Sequence, residues 1–297
     1  MSEEGAGSRG EDPLAKVRSP LPREPAVSDR ARLDVSAPVL KAVTGWIGRH
    51  RRRAGTRPGQ RAATLHTQVT LVLRWLRHRL DLRILALQAR VSIATAYRYL
   101  HEGLDVIAAH APDLAQVVTD AHRRGVVFRC LDGTLIPTDW VAARVEVNGH
   151  PAHHLWFSGK HRVFGGNIQV VCDHTGFPLW VSEVRSGSTF DLTAARELVL
   201  PELYPHAVRG LPVLAEKGYT GAGAGILVPY KNRSDGRLHV DNRSYNELIT
   251  ALRAPAERAN ALLGRWRALD RVTVCPQRIG VIATSALVLT SLDRGTL

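Results

Sequence analysis

The chain is 297 residues long, 44% hydrophobic, and carries a formal net charge of +13. That size holds one large domain or two small ones with enough apolar residues for a real core, so a folded enzyme is allowed. Its three cysteines, Cys130, Cys172 and Cys275, are far apart and without CxxC spacing, which argues for a reducing compartment and against a zinc site.

In chain order, the opening MSEEGAGSRGED lacks the basic start and apolar stretch of a signal peptide, so export is not expected. Residues 1–35 are rich in Gly, Pro, Ser and mixed charge without apolar periodicity, which predicts a disordered leader. Residues 36–112 read as helical, with apolar positions recurring at helical spacing and arginines between them. Within them, residues 41–100 hold thirteen Lys or Arg against one acid, Asp81, a local net charge of +12. Such self-repulsion is offset by a polyanion, and double-stranded DNA is the expected partner; a generally basic surface is the alternative.

One short amphipathic helix runs from Asp81 to about Arg90, a turn follows, and Ser92 is placed to cap a second helix. This is a helix-turn-helix pattern, with an ordinary helical hairpin as the rival reading. In the DNA-binding form, the start of the second helix enters the major groove, making Ile93, Ala94, Thr95, Tyr97 and Arg98 candidates for contact, Thr95 and Arg98 foremost. Arg90 stands where a turn usually has glycine, and a left-handed backbone there costs a non-glycine residue about 1 kcal/mol. The run Arg49, Arg51, Arg52 and Arg53 would grip phosphates or a minor groove.

After Pro112 the pattern changes, and residues 126–292 predict an α/β domain. Strands are expected at Val126 to Leu131, Ile168 to Cys172 and Leu179 to Val184, the last two joined by a turn at Asp173 to Gly176. A helix follows over Leu192 to Leu200, then strands at Val213 to Ala215 and Gly225 to Val228. Helices close the chain from Tyr245 to Leu269, kinked at Pro255, and from Ile279 to Leu292. That last run, about 14 residues, falls short of the roughly 18 a membrane span needs, so no membrane partner is expected.

Asp132 follows the strand-like VVFRCL and Glu216 follows PVLA, so both carboxylates are expected at strand ends, while Glu257 lies in a helical stretch. Two strand-end carboxylates faced by a third on a packed helix can hold two divalent ions about 3.5 to 4 Å apart for an in-line displacement at phosphorus. Hard oxygen ligands of this kind suit Mg²⁺ or Mn²⁺. Taken singly, Asp132 also suits a turn, Glu216 a surface charge and Glu257 an i,i+4 pair with Arg253. Asp191 opens a helix, where its charge complements the dipole; an accessory metal or substrate role is the alternative. Lys160 and His161 lie in a loop within reach of DNA, and the spacing of His150, His153, His154 and His161 fits no standard metal site.

Several strings in this half point the same way: Leu131 to Leu135 (LDGTL), Phe157 to His161 (FSGKH) with Gly165, Asn167 and Gln169, and Gly187 to Arg196 (GSTFDLTAAR). They continue with Leu214 to Gly221 (LAEKGYTG), Ala256 to Leu262 (AERANAL) and Cys275-Pro276. Over about 170 residues the chain resembles the DDE endonuclease domain of bacterial insertion-sequence transposases related to PIF/Harbinger elements. The resemblance implies a ribonuclease-H-like mixed sheet with flanking helices, preceded here by the small all-α helix-turn-helix region. It implies an acidic triad, Asp132, Glu216 and Glu257, that binds Mg²⁺ or Mn²⁺, cuts DNA at the element's terminal repeats and joins the freed 3′ hydroxyl to target DNA. Such chemistry needs both element ends held together, so a homo-oligomer on DNA in the cytoplasm is expected. Arg253 falls where the family places an arginine before the third acid, and Arg265, one place beyond the position of the family's lysine, is the candidate to substitute for it as a phosphate ligand; both count as candidate DNA contacts in this reading. The departures are Glu216, where aspartate is usual, and Thr250 and Gly264, where tyrosine and lysine are usual. They carry the alternative that the chain is a catalytically impaired relic acting only as a DNA-binding protein.

Overall fold

The computed structural model describes residues 33–57, 59–147, 150–232 and 238–296. The expected leader lies almost wholly outside the described residues. Among the described residues, five helices precede the sheet: α1 (Ala37–Arg53), α2 (Leu65–His78), α3 (Leu82–Gln88), α4 (Ile93–Ala108) and α5 (Leu114–Arg123). Short polar side chains start four of them: Ser36, Thr64, Asp81 and Ser92 each accept a backbone N–H of the first turn. Val69, Val72, Leu73 and Leu76 on α2, and Leu100, Leu104 and Ile107 on α4, recur every three or four residues, and all are buried. The turn between α3 and α4 holds Arg90 at φ +53°, the left-handed backbone its position demanded.

The sheet region opens with β1 (Arg129–Pro137), which starts three residues later than the sequence suggested and runs straight through Asp132. A hairpin, β2 (Arg144–Val147) and β3 (His150–His154), was not anticipated. After β4 (Phe157–Ser158), β5 (Val163–Cys172) pairs antiparallel with β1, and its other edge takes β4, β7 (Arg185–Ser186) and β6 (Pro178–Val181) in turn. The turn between β5 and β6 forms where expected. Asp173 Oδ1 accepts from the backbone N–H of Thr175 and Phe177, and Gly176 supplies φ +77°.

The predicted helix at 192–200 is two helices, α6 (Asp191–Leu198) and α7 (Leu200–Ala207), broken at Val199, and Pro201 falls in the first turn of the second, where its missing N–H is tolerated. The strands β8 (Val213–Ala215) and β9 (Ile226–Leu227) add parallel to β1. Five strands joined by antiparallel pairing, β1, β4, β5, β6 and β7, extended by the two parallel strands β8 and β9, with helices packed on them, make the ribonuclease-H-like mixed sheet expected. The helices α8 (Val240–Arg253) and α9 (Glu257–Gly264) are separated by a 3-10 turn at Pro255.

The last helix, α10 (Ile279–Arg294), is buried along most of its length and packs against α1, α4 and β6. Ile279, Ile282, Ala283, Ala286 and Leu287 belong to one core with Val72, Leu100 and Leu104 from the helices and Ile168 and Val170 from the sheet. Residues 33–297 thus form a single compact unit. No helix among the described residues is long and apolar enough to cross a membrane.

Candidate active site

β1 and β8 are parallel neighbours in register from Arg129 and Val213 to Leu131 and Ala215, so the next residues on each strand are Asp132 and Glu216. Adjacent parallel strands are about 4.8 Å apart, which brings the two acids together without any packing coincidence. Asp132 lies inside β1 rather than at its end; it is β8 that stops there.

Asp132 is held from the helical side. Asn260 Nδ2 on α9 donates to its Oδ2 at 3.1 Å, and Arg253 Nη2, at the end of α8, lies 3.6 Å from its Oδ1. Burial pushes the Asp132 carboxyl up to about 6; Arg253 opposes that rise, while the charges of Glu216 and Asp191 add to it.

Asp191 opens α6, and Lys160, in the loop between β4 and β5, faces it. Lys160 Nζ lies 3.2 Å from Asp191 Oδ2 and 3.6 Å from Glu216 Oε1. The other oxygen of Asp191 accepts from Asn167 Nδ2 at 2.7 Å. Behind it runs a buried chain: Gln169 Nε2 donates to Asn167 Oδ1 at 2.8 Å, and the Tyr219 hydroxyl donates to Gln169 Oε1 at 2.7 Å. Burial, and then Asp191, Asp132 and Glu216, hold the Tyr219 phenol well above its ordinary value, so it stays a donor. Gly133 closes the site: a Cβ there would stand 2.6 Å from Asp191 Oδ1 and 2.9 Å from the Tyr219 hydroxyl. Asn167, Gln169, Gly133 and Tyr219 all lie in strings that carry the resemblance, yet spacing alone does not reveal that they tie Asp191 to the other two acids.

Glu257 is exposed in the first turn of α9, and the contact from that helix to Asp132 is made one turn later by Asn260. Asn260 Oδ1 is buried beside Asp132 without a partner. Among the described residues, no three or more His, Cys, Asp or Glu side chains converge as a ready metal-ligand set. The oxygen donors nevertheless fit a divalent cation: a carboxyl raised by burial and by like charges, a second carboxylate at the end of the adjacent strand, and an orphaned amide oxygen.

The basic residues named for DNA divide sharply. Arg49, Arg52 and Arg53 are exposed near the C-terminal end of α1, whereas Arg51 turns inward to donate to Gln68 Oε1 at 2.6 and 2.9 Å. On α4, Tyr97 and Arg98 are exposed, but Thr95 is buried, its hydroxyl bonded to Ser92 and Arg98. Arg265 is exposed, and Arg253 is committed to Asp132.

Residues 131–291 match the model of the DDE superfamily endonuclease family, more than half of the chain. The chain belongs to the DDE superfamily endonucleases. Membership implies a nuclease, and divalent metal is general among such enzymes. The matched span begins one residue before Asp132 and ends inside α10, so it takes in every acid discussed above. No curated protein matches this DDE chain. Among solved structures, the crystal structure of a pre-cleavage Mos1 transpososome is similar at 10% identity over 88% of this chain and 98% of that one, with a TM-score of 0.17, at which the likeness carries no argument.

Proposed function

We propose that this DDE endonuclease is a transposase that binds the terminal repeats of its element through the helical region, cuts there with Mg²⁺ or Mn²⁺, and transfers the freed 3′ hydroxyl to target DNA. The observation that carries the reading is the parallel pairing of β1 with β8, which sets Asp132 beside Glu216, the residue that follows β8, with Asp132 buried enough to be raised to about 6. Asp132 and Glu216 would hold the metal, with Asn260 Oδ1 beside them. A bound divalent ion supplies an activated oxygen nucleophile and a counter-charge for the phosphate. Arg253 fixes the orientation of Asp132, and Lys160, half exposed at the rim, is placed to take a phosphate oxygen.

The third carboxylate comes from Asp191 or from Glu257. Asp191 is bonded into the site; Glu257 needs a rotation of α9 or a change of rotamer to replace Asn260. Cleavage by Asp191→Asn and Glu257→Gln chains at saturating Mn²⁺ separates the two, because the ligand's loss drops turnover by at least about a hundredfold and the other's does not. If neither substitution slows cleavage, the triad reading fails.

A second reading has specific support. An amide, Asn260, faces Asp132 from α9, and Glu216 carries one methylene more than the usual aspartate. Those features fit a relic that binds DNA without cutting it. Metal-dependent cleavage by the unaltered chain excludes it; cleavage only after Glu216→Asp supports it.

A further inference from the structure

The acids of the site are shared between two separate protein cations. Asp132 sits with Arg253 and Asn260, buried among α8 and α9. Glu216 and Asp191 are bridged instead by one ammonium, that of Lys160, on a loop whose next turn holds Arg162 at φ +58°. A lysine ammonium 3.2 and 3.6 Å from two carboxylates sits where a cation shared by Glu216 and Asp191 would sit. Its side chain is 60% exposed, against 16% for Asp191 and 36% for Glu216. Partly exposed pairs hold weakly, and a lysine head on a four-carbon stem is easily redirected to another oxyanion. A cleft of about 610 Å³ that Lys160 and Asp191 themselves line, with Phe157, Ser188, Thr189 and the exposed Phe190, gives room for one. Asp191 does not need the lysine for its position, because Asn167 already holds its other oxygen.

We propose that Lys160 is a built-in counter-cation that competes with the divalent ion for Glu216 and Asp191 and leaves them for a DNA phosphate, so that metal loading depends on bound DNA. The inference rests on the proposed metal-dependent reading of this site and deepens it. Glu216 is tied up while the protein is free, and becomes a metal ligand only when a phosphate draws the ammonium into the cleft. Free chain in the cell then carries little metal and does not cut at random.

The test is equilibrium Mn²⁺ binding to the full chain, read by the electron paramagnetic resonance of free Mn²⁺ and independent of any activity. Lys160→Met and Lys160→Gln are expected to bind Mn²⁺ without DNA about tenfold or more tighter than the unaltered chain, the scale on which one close opposite charge changes a carboxylate. Lys217→Met removes a charge next to Glu216 that makes no ion pair among the described residues, and is expected to change affinity less than twofold. A short mixed-sequence duplex, corrected for the Mn²⁺ it takes up with an Asp132→Asn chain, should raise the unaltered chain to the level of Lys160→Met and leave that variant unchanged. Equal affinities of the unaltered and Lys160 chains, or an equal gain from Lys217→Met, overturn the inference and leave the metal site standing. Absence of Mn²⁺ binding by every chain, with and without duplex, overturns the metal-dependent reading and the inference with it.

Discussion

Replacing Asp132 by asparagine should make the metal-free protein more stable at neutral pH, although it destroys the proposed site. The Asp132 carboxyl is raised from an ordinary 3.8 to about 6. At 1.36 kcal/mol per pH unit, keeping it ionised in the fold at pH 7 costs about 3 kcal/mol. Its side chain is only 19% exposed, so solvent screening removes little of that cost. Asparagine keeps the shape of the neutral carboxyl, and because the value of about 6 already includes the opposing charge of Arg253, the expected gain is most of that cost, about 2 to 3 kcal/mol. The sign follows from a folded value above the unfolded one: the contribution is fully favourable below about pH 3.8 and is lost as pH climbs through about 6. Urea denaturation in EDTA at several values between pH 4 and 7.5 reads the difference between the two chains. The variant should lose ground below pH 5 and lead above pH 6.5, and Mn²⁺ should stabilise only the unaltered chain. A difference independent of pH, or one that favours the unaltered chain increasingly as pH rises, refutes the reasoning.

Other substitutions probe the supports. Gly133→Ala puts a methyl 2.6 Å from the Asp191 carboxylate, and should cost about 1 to 3 kcal/mol by thermal denaturation and slow cleavage at least tenfold. Tyr219→Phe leaves the buried Gln169 oxygen without its donor, so a loss of about 1 to 3 kcal/mol is expected, accompanied by slower cleavage at unchanged DNA affinity. In the helical region, Arg98→Ala should weaken DNA binding and, if it holds a phosphate, lower the slope of log affinity against log salt by about 0.9. Thr95→Ala keeps the backbone cap to Ser92 and should instead act on stability through the hydroxyl's lost bonds to Ser92 and Arg98, with little effect on affinity measured by salt-titrated fluorescence anisotropy.

Where one local rule decided the outcome, the sequence was sufficient. Ser92 caps the helix it precedes, Arg90 takes the left-handed turn, and Asp173 with Gly176 closes the hairpin, because each depends only on its neighbours. Asp132 and Glu216 meet because β1 and β8 pair in parallel register up to Leu131 and Ala215, the residues just before the two acids. The rest depends on rotation and packing, which spacing does not encode. Thr95 is buried because α4 presents that face to its neighbours in the helical core, although its place in the motif is that of a DNA contact. Which turn of α9 meets Asp132 is set by the break at Pro255, and the break turns Asn260 inward and leaves Glu257 exposed. Lys160 reaches two acids that are 31 and 56 positions away in the chain, and only the closed fold brings the three together.

Metal-dependent cleavage is tested most directly by nicking of supercoiled DNA carrying the element's own terminal repeats, in Mg²⁺, Mn²⁺ or EDTA, by the unaltered chain beside Asp132→Ala. Nicking with either metal, none in EDTA and none by the variant is the expected result. Tight binding of the repeats without a nick in either metal, or nicking that survives in Asp132→Ala, would contradict it.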